Sequence, residues 1–154
     1  MTRSFHHFIV ATFVLGMAIS ATPAFAQSEL EGVWEVTHAT FESEEATEPG
    51  LYIFHGEYYS VLHVWAGEPR PLFGEDEDRD NVDFERLRSV VLPLEGNSGK
   101  FEVDGSTVTM SPMVAISPNF MSGGSNTYTF TISGDELSLK GVDFEAELTL
   151  QRLH

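Results

Sequence analysis

Apolar and polar residues alternate one by one along much of this chain, a pattern typical of strands with one buried and one wet face. In the segment 144–152, for example, one face carries Phe144, Ala146, Leu148 and Leu150. Short turns separate neighbouring segments, which favours hairpins. We therefore predict an all-β fold, an eight-stranded antiparallel up-and-down barrel. The predicted strands are 32–41, 51–55, 58–66, 99–104, 106–113, 125–133, 136–141 and 144–152.

One long connection, between the third and fourth strands, departs from this alternation. There Phe84, Leu87 and Val91 recur at helical spacing, which predicts a helix over 82–92 that ends near Pro93. An apolar helix face needs a surface to cover. We therefore expect those three side chains to be buried against one end of the barrel.

An acidic run precedes this helix, and Asp76, Asp78 and Asp80 imitate the start of a calcium-binding loop. The match fails further on, because Asn81 and Leu87 stand where such a loop needs Gly and Glu. A solvated loop explains the acidic residues without an ion. The sequence predicts no metal and no cofactor.

The first 26 residues resemble a cleavable Sec-type signal peptide. Arg3 precedes an uncharged apolar run, and Ala24-Phe25-Ala26 forms a small-x-small cleavage site. We predict a signal peptide over 1–26 and one barrel domain over 27–154, with the protein periplasmic or secreted. There is no cysteine for lipoprotein attachment and no second apolar stretch for a stable membrane anchor.

The charge balance narrows the choice of partners. The chain has 24 acidic against eight basic residues, for a formal net charge of −16. Such a surface disfavours binding to nucleic acid. The absence of cysteine excludes thiolate metal sites and Cys nucleophiles, and leaves packing alone to stabilise the domain.

The first and last predicted strands carry two residues, Trp34 and Arg152, that we expect to be in contact. Alternation places Arg152 on the apolar face of the last strand, where a charged group needs a partner. If the first and last strands pair, its guanidinium can lie on the Trp34 ring as a cation–π contact. We call this contact between Trp34 and Arg152 the seam of the barrel, and we predict that its role is structural.

Several motifs together resemble the bacterial lipocalin-like domain family, a calycin-type barrel. Gly32-Val33-Trp34 opens the barrel, and Arg152 packs across the Trp from the last strand. Further matching stretches lie at 56–61, 99–109, 117–120 and 134–139. The resemblance implies a barrel that can hold a small ligand, and it implies no shared catalytic residues.

The hairpin 51–66 is the best candidate for a ligand pocket. One of its faces carries aromatic rings with polar tips, as pockets do, and the other is mainly aliphatic. We favour the aromatic face as interior, although alternation alone does not choose between them. The candidate ligand-binding residues are His38, Tyr52, Phe54, Tyr59, His63 and Trp65.

Three functions fit these residues. We favour binding of a small, largely apolar or aromatic molecule without covalent chemistry. The alternative is an isomerase, cyclase or hydratase in which His63 or His38 moves a proton and Tyr59 steadies developing charge. In the third, the aliphatic hairpin face serves as a homo-oligomer or interaction surface.

Overall fold

Eight antiparallel strands close into a barrel in the computed structural model, which describes residues 23–74 and 81–154. A ninth strand of two residues, β2, lies beside the end of β1. The strands are β1 (Gly32–Phe41), β2 (Glu44–Glu45), β3 (Leu51–His55), β4 (Tyr58–Val64), β5 (Leu94–Asp104), β6 (Thr107–Ala115), β7 (Asn126–Ser133), β8 (Glu136–Gly141) and β9 (Ala146–Leu153). The predicted fold class is confirmed.

Pairing of the first and last strands closes the barrel. β1 runs antiparallel to β9, with Trp34 opposite Arg152 and Phe41 opposite Ala146. On its other side β1 pairs with β3, so both edges of the first strand are satisfied. Closure removes the exposed edges that would otherwise template aggregation.

The contact predicted between Trp34 and Arg152 is present. Trp34 is completely buried, and the Arg152 guanidinium lies 4.0 Å from its ring centroid. The Trp34 indole donates to the Leu30 carbonyl at 2.8 Å. Gly32 permits this approach, because a Cβ there would stand 2.6 Å from Nη1 of Arg152, and its φ of 136° disfavours any other residue.

A helix closes the end of the barrel at which this seam lies. Helix α1 (Pro23–Leu30) places Leu30 in the core with no exposed surface. Arg152 donates to the carbonyls of Glu29 and Glu31, at the helix C-terminus where a cation is favourable. Gln27 donates to the Gly56 carbonyl at 2.8 Å, which ties the helix to the β3–β4 turn.

Helix α2 (Phe84–Val91) forms where the sequence predicts it. Asp83 caps its N-terminus and accepts from the Arg86 amide at 2.8 Å. The expected burial is wrong. Phe84, Leu87 and Val91 are 68%, 46% and 40% exposed, so the helix does not cover the barrel end.

Polar contacts, in place of apolar packing, hold α2 near the barrel. Arg70 makes a paired contact with the Glu48 carboxylate, at 2.8 Å and 3.0 Å, and also reaches the Val90 carbonyl at 3.4 Å. The Arg70 guanidinium lowers the pKa of Glu48 through these hydrogen bonds. The helix C-terminus is therefore fixed beside the barrel rim while its apolar face stays open.

A short third helix, α3 (Pro118–Met121), follows β6 and lies at the same end of the barrel as α2. Ser117 caps it. Within the part of the chain that the structure describes, no helix is long and apolar enough to cross a membrane.

A bulge in β1 changes one predicted site residue. The register between β1 and β9 shifts between Val36 and His38, so Thr37 is an extra residue on β1. Beyond it the alternation inverts, and Ala39 takes the interior position that was predicted for His38. His38 instead lies on the outer face, with Nδ1 3.4 Å from Glu45.

Candidate functional site

A cavity of about 660 Å³ opens at the barrel end opposite α1. It lies where β4 ends and β5 begins, and α2 and α3 flank it. Most of its wall is apolar or aromatic: Phe41, Trp65, Leu94, Ile116, Phe120 and Phe144. Val91 and Leu92, at the end of α2, form part of its rim.

A carboxylate that accepts three hydrogen bonds lines this cavity. Glu95 accepts from the Trp65 indole at 2.5 Å, from the Asn97 amide at 3.0 Å and from the Asn126 amide at 3.2 Å. These four residues come from β5, β7 and the segment after β4, so the cluster joins strands that β6 separates in the sheet. It gives an otherwise apolar cavity one fixed anionic point.

Tyrosine hydroxyls extend the polar cluster into the barrel. Tyr128 lines the cavity, and Tyr52 is buried in the barrel core. Burial, with the Glu95 charge adding to it, raises the pKa of Tyr52, Tyr59 and Tyr128. All three phenols therefore stay neutral at physiological pH. Among the described residues, the buried Tyr59 hydroxyl has no hydrogen-bond partner.

His63 lies beneath the cavity and does not line it. Its ring is completely buried, with the Trp65 ring 4.0 Å away between centroids, and Gly50 packs so close that a Cβ there would stand 2.6 Å from it. Neither ring nitrogen has a hydrogen-bond partner among the described residues. Burial lowers the pKa of His63 to about 4, so the ring is neutral at pH 7.

The comparisons with known proteins concern the fold. A structure described as an uncharacterized protein from Bacteroides eggerthii is 9% identical, with a TM-score of 0.48, and covers 80% of this chain and 99% of its own. A lipocalin-like protein from Bacteroides uniformis is 13% identical, with a TM-score of 0.46, and covers 81% and 99%. No family model matches the chain, and no curated protein matches it. The closed eight-stranded antiparallel barrel is the architecture that the sequence resemblance implies.

The β3–β4 hairpin presents its aromatic face to the interior, as favoured from the sequence. Tyr52, Phe54 and Tyr59 are almost fully buried. They fill the barrel below the cavity and do not line it. Of the predicted ligand-binding residues, Trp65 alone lines the cavity.

Glu95 and Asn97 were missed because β5 begins five residues earlier than predicted, at Leu94 instead of residue 99. The stretch 94–98 contains Gly, Asn and Ser, which are typical of turns, yet its residues pair with β4. Alternation backward from the interior Phe101 places Gly99, Asn97 and Glu95 on the same face. That regularity could have indicated Glu95, although an interior carboxylate is rare enough to argue against the strand.

Proposed function

We propose that this lipocalin-like barrel binds a small, largely apolar or aromatic molecule in the cavity at its open end, without covalent chemistry. The observation that carries the proposal is the cavity itself, of about 660 Å³. Small-molecule sites are usually clefts of roughly 300–1,000 Å³ with apolar walls and a few fixed polar groups. Here aromatic walls surround the cluster formed by Glu95, Asn97 and Asn126.

The enzyme hypothesis gains no support from the histidines that suggested it. A general base must reach the proton that it moves, directly or through one water. His63 is sealed beneath Trp65, and His38 lies on the outer face of β1. Binding without chemistry uses the observed cavity and needs no further assumption about these side chains.

The outer face of the hairpin supports the interaction hypothesis as a second candidate. Leu51, Tyr58 and Leu62 are 36%, 49% and 56% exposed there. Sedimentation velocity across a range of concentrations tests it. A dimer that Leu62→Ser dissociates would support an oligomer interface, and a monomer at all concentrations would oppose it.

We also propose that the protein is exported and cleaved after Ala26. The predicted cleavage would remove the first half of α1, residues 23–26, and would keep the contact of Gln27 with Gly56 and the buried Leu30 in the mature chain. Mass spectrometry of the periplasmic and medium fractions of a Gram-negative host tests the proposal. A chain that begins at Gln27 is expected, and an uncleaved cytoplasmic chain would contradict it.

Titration calorimetry with 2-naphthalenemethanol, a neutral aromatic probe, tests the binding site. We expect saturable binding to the wild type and its loss in Ala115→Trp, which places a large ring at the cavity wall. Ser111→Trp is the matched control, because it adds the same ring at an exposed position of the same strand. No saturable heat with the wild type, or equal binding by both variants, would contradict the proposal.

A further inference from the structure

We propose that the ligand of the open-end cavity is a cation, an amine-bearing molecule with an apolar or aromatic body whose ammonium group binds at Glu95. This inference deepens the proposed function and rests on it. It starts from the one charged side chain among the described residues that line the cavity.

No positive charge balances Glu95 within the described part of the molecule. The cavity lining contains no Lys, Arg or His, and no ion pair joins Glu95 to a described residue. Its three donors, from Trp65, Asn97 and Asn126, are all neutral. They orient and solvate the carboxylate but leave its charge in place.

The carboxylate also keeps room for another donor. An ionised carboxylate offers about four acceptor positions on its two oxygens. Two donors, from Asn97 and Asn126, use Oε1, whereas the Trp65 indole is the one donor on Oε2. An ammonium group entering from the cavity can bind Oε2 in a charge-assisted hydrogen bond.

The surrounding rings suit an organic cation. Trp65, Phe120, Phe144 and Tyr128 line the cavity around Glu95, and aromatic faces attract ammonium groups. A metal ion is served less well, because no group of three or more acidic, His or Cys side chains occurs among the described residues. A ligand with an apolar body and an ammonium head matches both the walls and the fixed charge.

Three naphthalene compounds of similar shape separate charge from apolar binding. They are 2-naphthylmethylamine, which is a cation at pH 7, neutral 2-naphthalenemethanol, and anionic 2-naphthylacetate. We expect the amine to bind wild-type protein at least about tenfold more tightly than the alcohol, in line with a charge-assisted hydrogen bond in a partly buried site. The carboxylate should bind most weakly.

Glu95→Gln should reduce the preference for the amine over the alcohol to within about twofold while the alcohol still binds. Retained alcohol binding also shows that the variant is folded. Glu102→Gln is the matched control, because it removes the same charge from an exposed position on β5, and the preference should persist. This pair separates a local effect of Glu95 from the overall negative charge.

The two proposals fail in different ways. If none of the three compounds binds wild-type protein, the cavity is not a ligand site and the proposed function is wrong. If the alcohol binds as tightly as the amine, or if Glu95→Gln keeps the amine preference, the cavity binds ligands but Glu95 does not select a cation. Should Glu95→Gln not fold, the wild-type ranking of amine and alcohol decides alone.

Discussion

The two ends of this barrel are built on the same strands and reach opposite outcomes. At one end α1 inserts Leu30, and Arg152 covers Trp34, so the interior is filled. At the other end the strands run on to Trp65 and Glu95, and a cavity of about 660 Å³ stays open. Each end has one of the chain's two tryptophans.

The difference lies in how each end deals with polar groups. At the closed end, the Arg152 guanidinium is satisfied by the carbonyls of Glu29 and Glu31 and by the Trp34 ring. At the open end, Glu95 has neutral partners alone, and His63 has none among the described residues. A charge without an opposite charge beside it, in a cavity, often marks a functional site.

Replacement of the two tryptophans should give the largest contrast between the ends. Trp34→Ala removes a fully buried ring and should lower the free energy of unfolding by about 3–5 kcal/mol. Trp65→Ala removes a half-buried ring beside a cavity and should cost about 1–2 kcal/mol. Chemical denaturation followed by circular dichroism measures both, and equal losses would break the comparison.

Replacement of the seam residue Arg152 should cause the next largest loss of stability. Arg152→Ala removes the stacked cation and its carbonyl contacts, and should lower the free energy of unfolding by about 1–3 kcal/mol. Arg152→Lys should recover part of this, because an ammonium group does not stack as a planar guanidinium does. Thermal melts of the three proteins measure the order. Equal melting temperatures would mean that the seam contributes nothing to stability.

His63 should make the stability of the open end depend on pH. Its pKa is about 4 in the folded protein and near 6.5 in the unfolded chain, so the unfolded state binds more protons between these values. The contribution of His63 to the free energy of unfolding is therefore complete above about pH 6.5, and it falls as the pH is lowered from there toward about 4. Wild-type protein should lose about 1–2 kcal/mol between pH 7 and pH 5 from this group.

The variant His63→Leu isolates that contribution. It should be at least as stable as wild type at pH 7, because it removes two buried nitrogens without partners. Urea denaturation at pH 7 and pH 5 compares the two proteins. If the variant loses as much stability on acidification as wild type, His63 is not the source.

The smallest effect should come from helix α2. Phe84→Ser changes a side chain that is 68% exposed and should alter the free energy of unfolding by less than about 0.5 kcal/mol. Denaturation with urea measures it. A loss above about 2 kcal/mol would mean that α2 packs on the barrel after all, and that the expectation drawn from its apolar spacing was right.

Period-two alternation was enough to predict most of the strands, because a strand with one buried face repeats its apolar residues at every second position. It placed Arg152 on the apolar face of the last strand, and the contact with Trp34 then followed from the expected pairing of the first and last strands. The position of His38 failed because one extra residue, Thr37, inverts the alternation beyond it. Nothing in the local sequence indicates that bulge.

The candidate site was harder to predict than the fold. Trp65 was identified as a cavity residue, but Glu95, Asn97 and Asn126 were not. Polar residues in a stretch with Gly and Ser resemble a turn, and only pairing with β4 makes 94–98 a strand. The apolar face of α2 predicted a helix correctly but did not specify what it covers, since amphipathic spacing contains no information about the partner surface.

The two indole N–H resonances provide the most direct test that ligand binding belongs to the open end. A ¹H–¹⁵N NMR titration with 2-naphthalenemethanol reports on both tryptophans in one sample. We predict a saturable shift of the Trp65 indole, which lines the cavity, and no shift of the Trp34 indole, which is sealed at the other end. Equal shifts at both indoles, or no saturable shift at Trp65, would contradict the account.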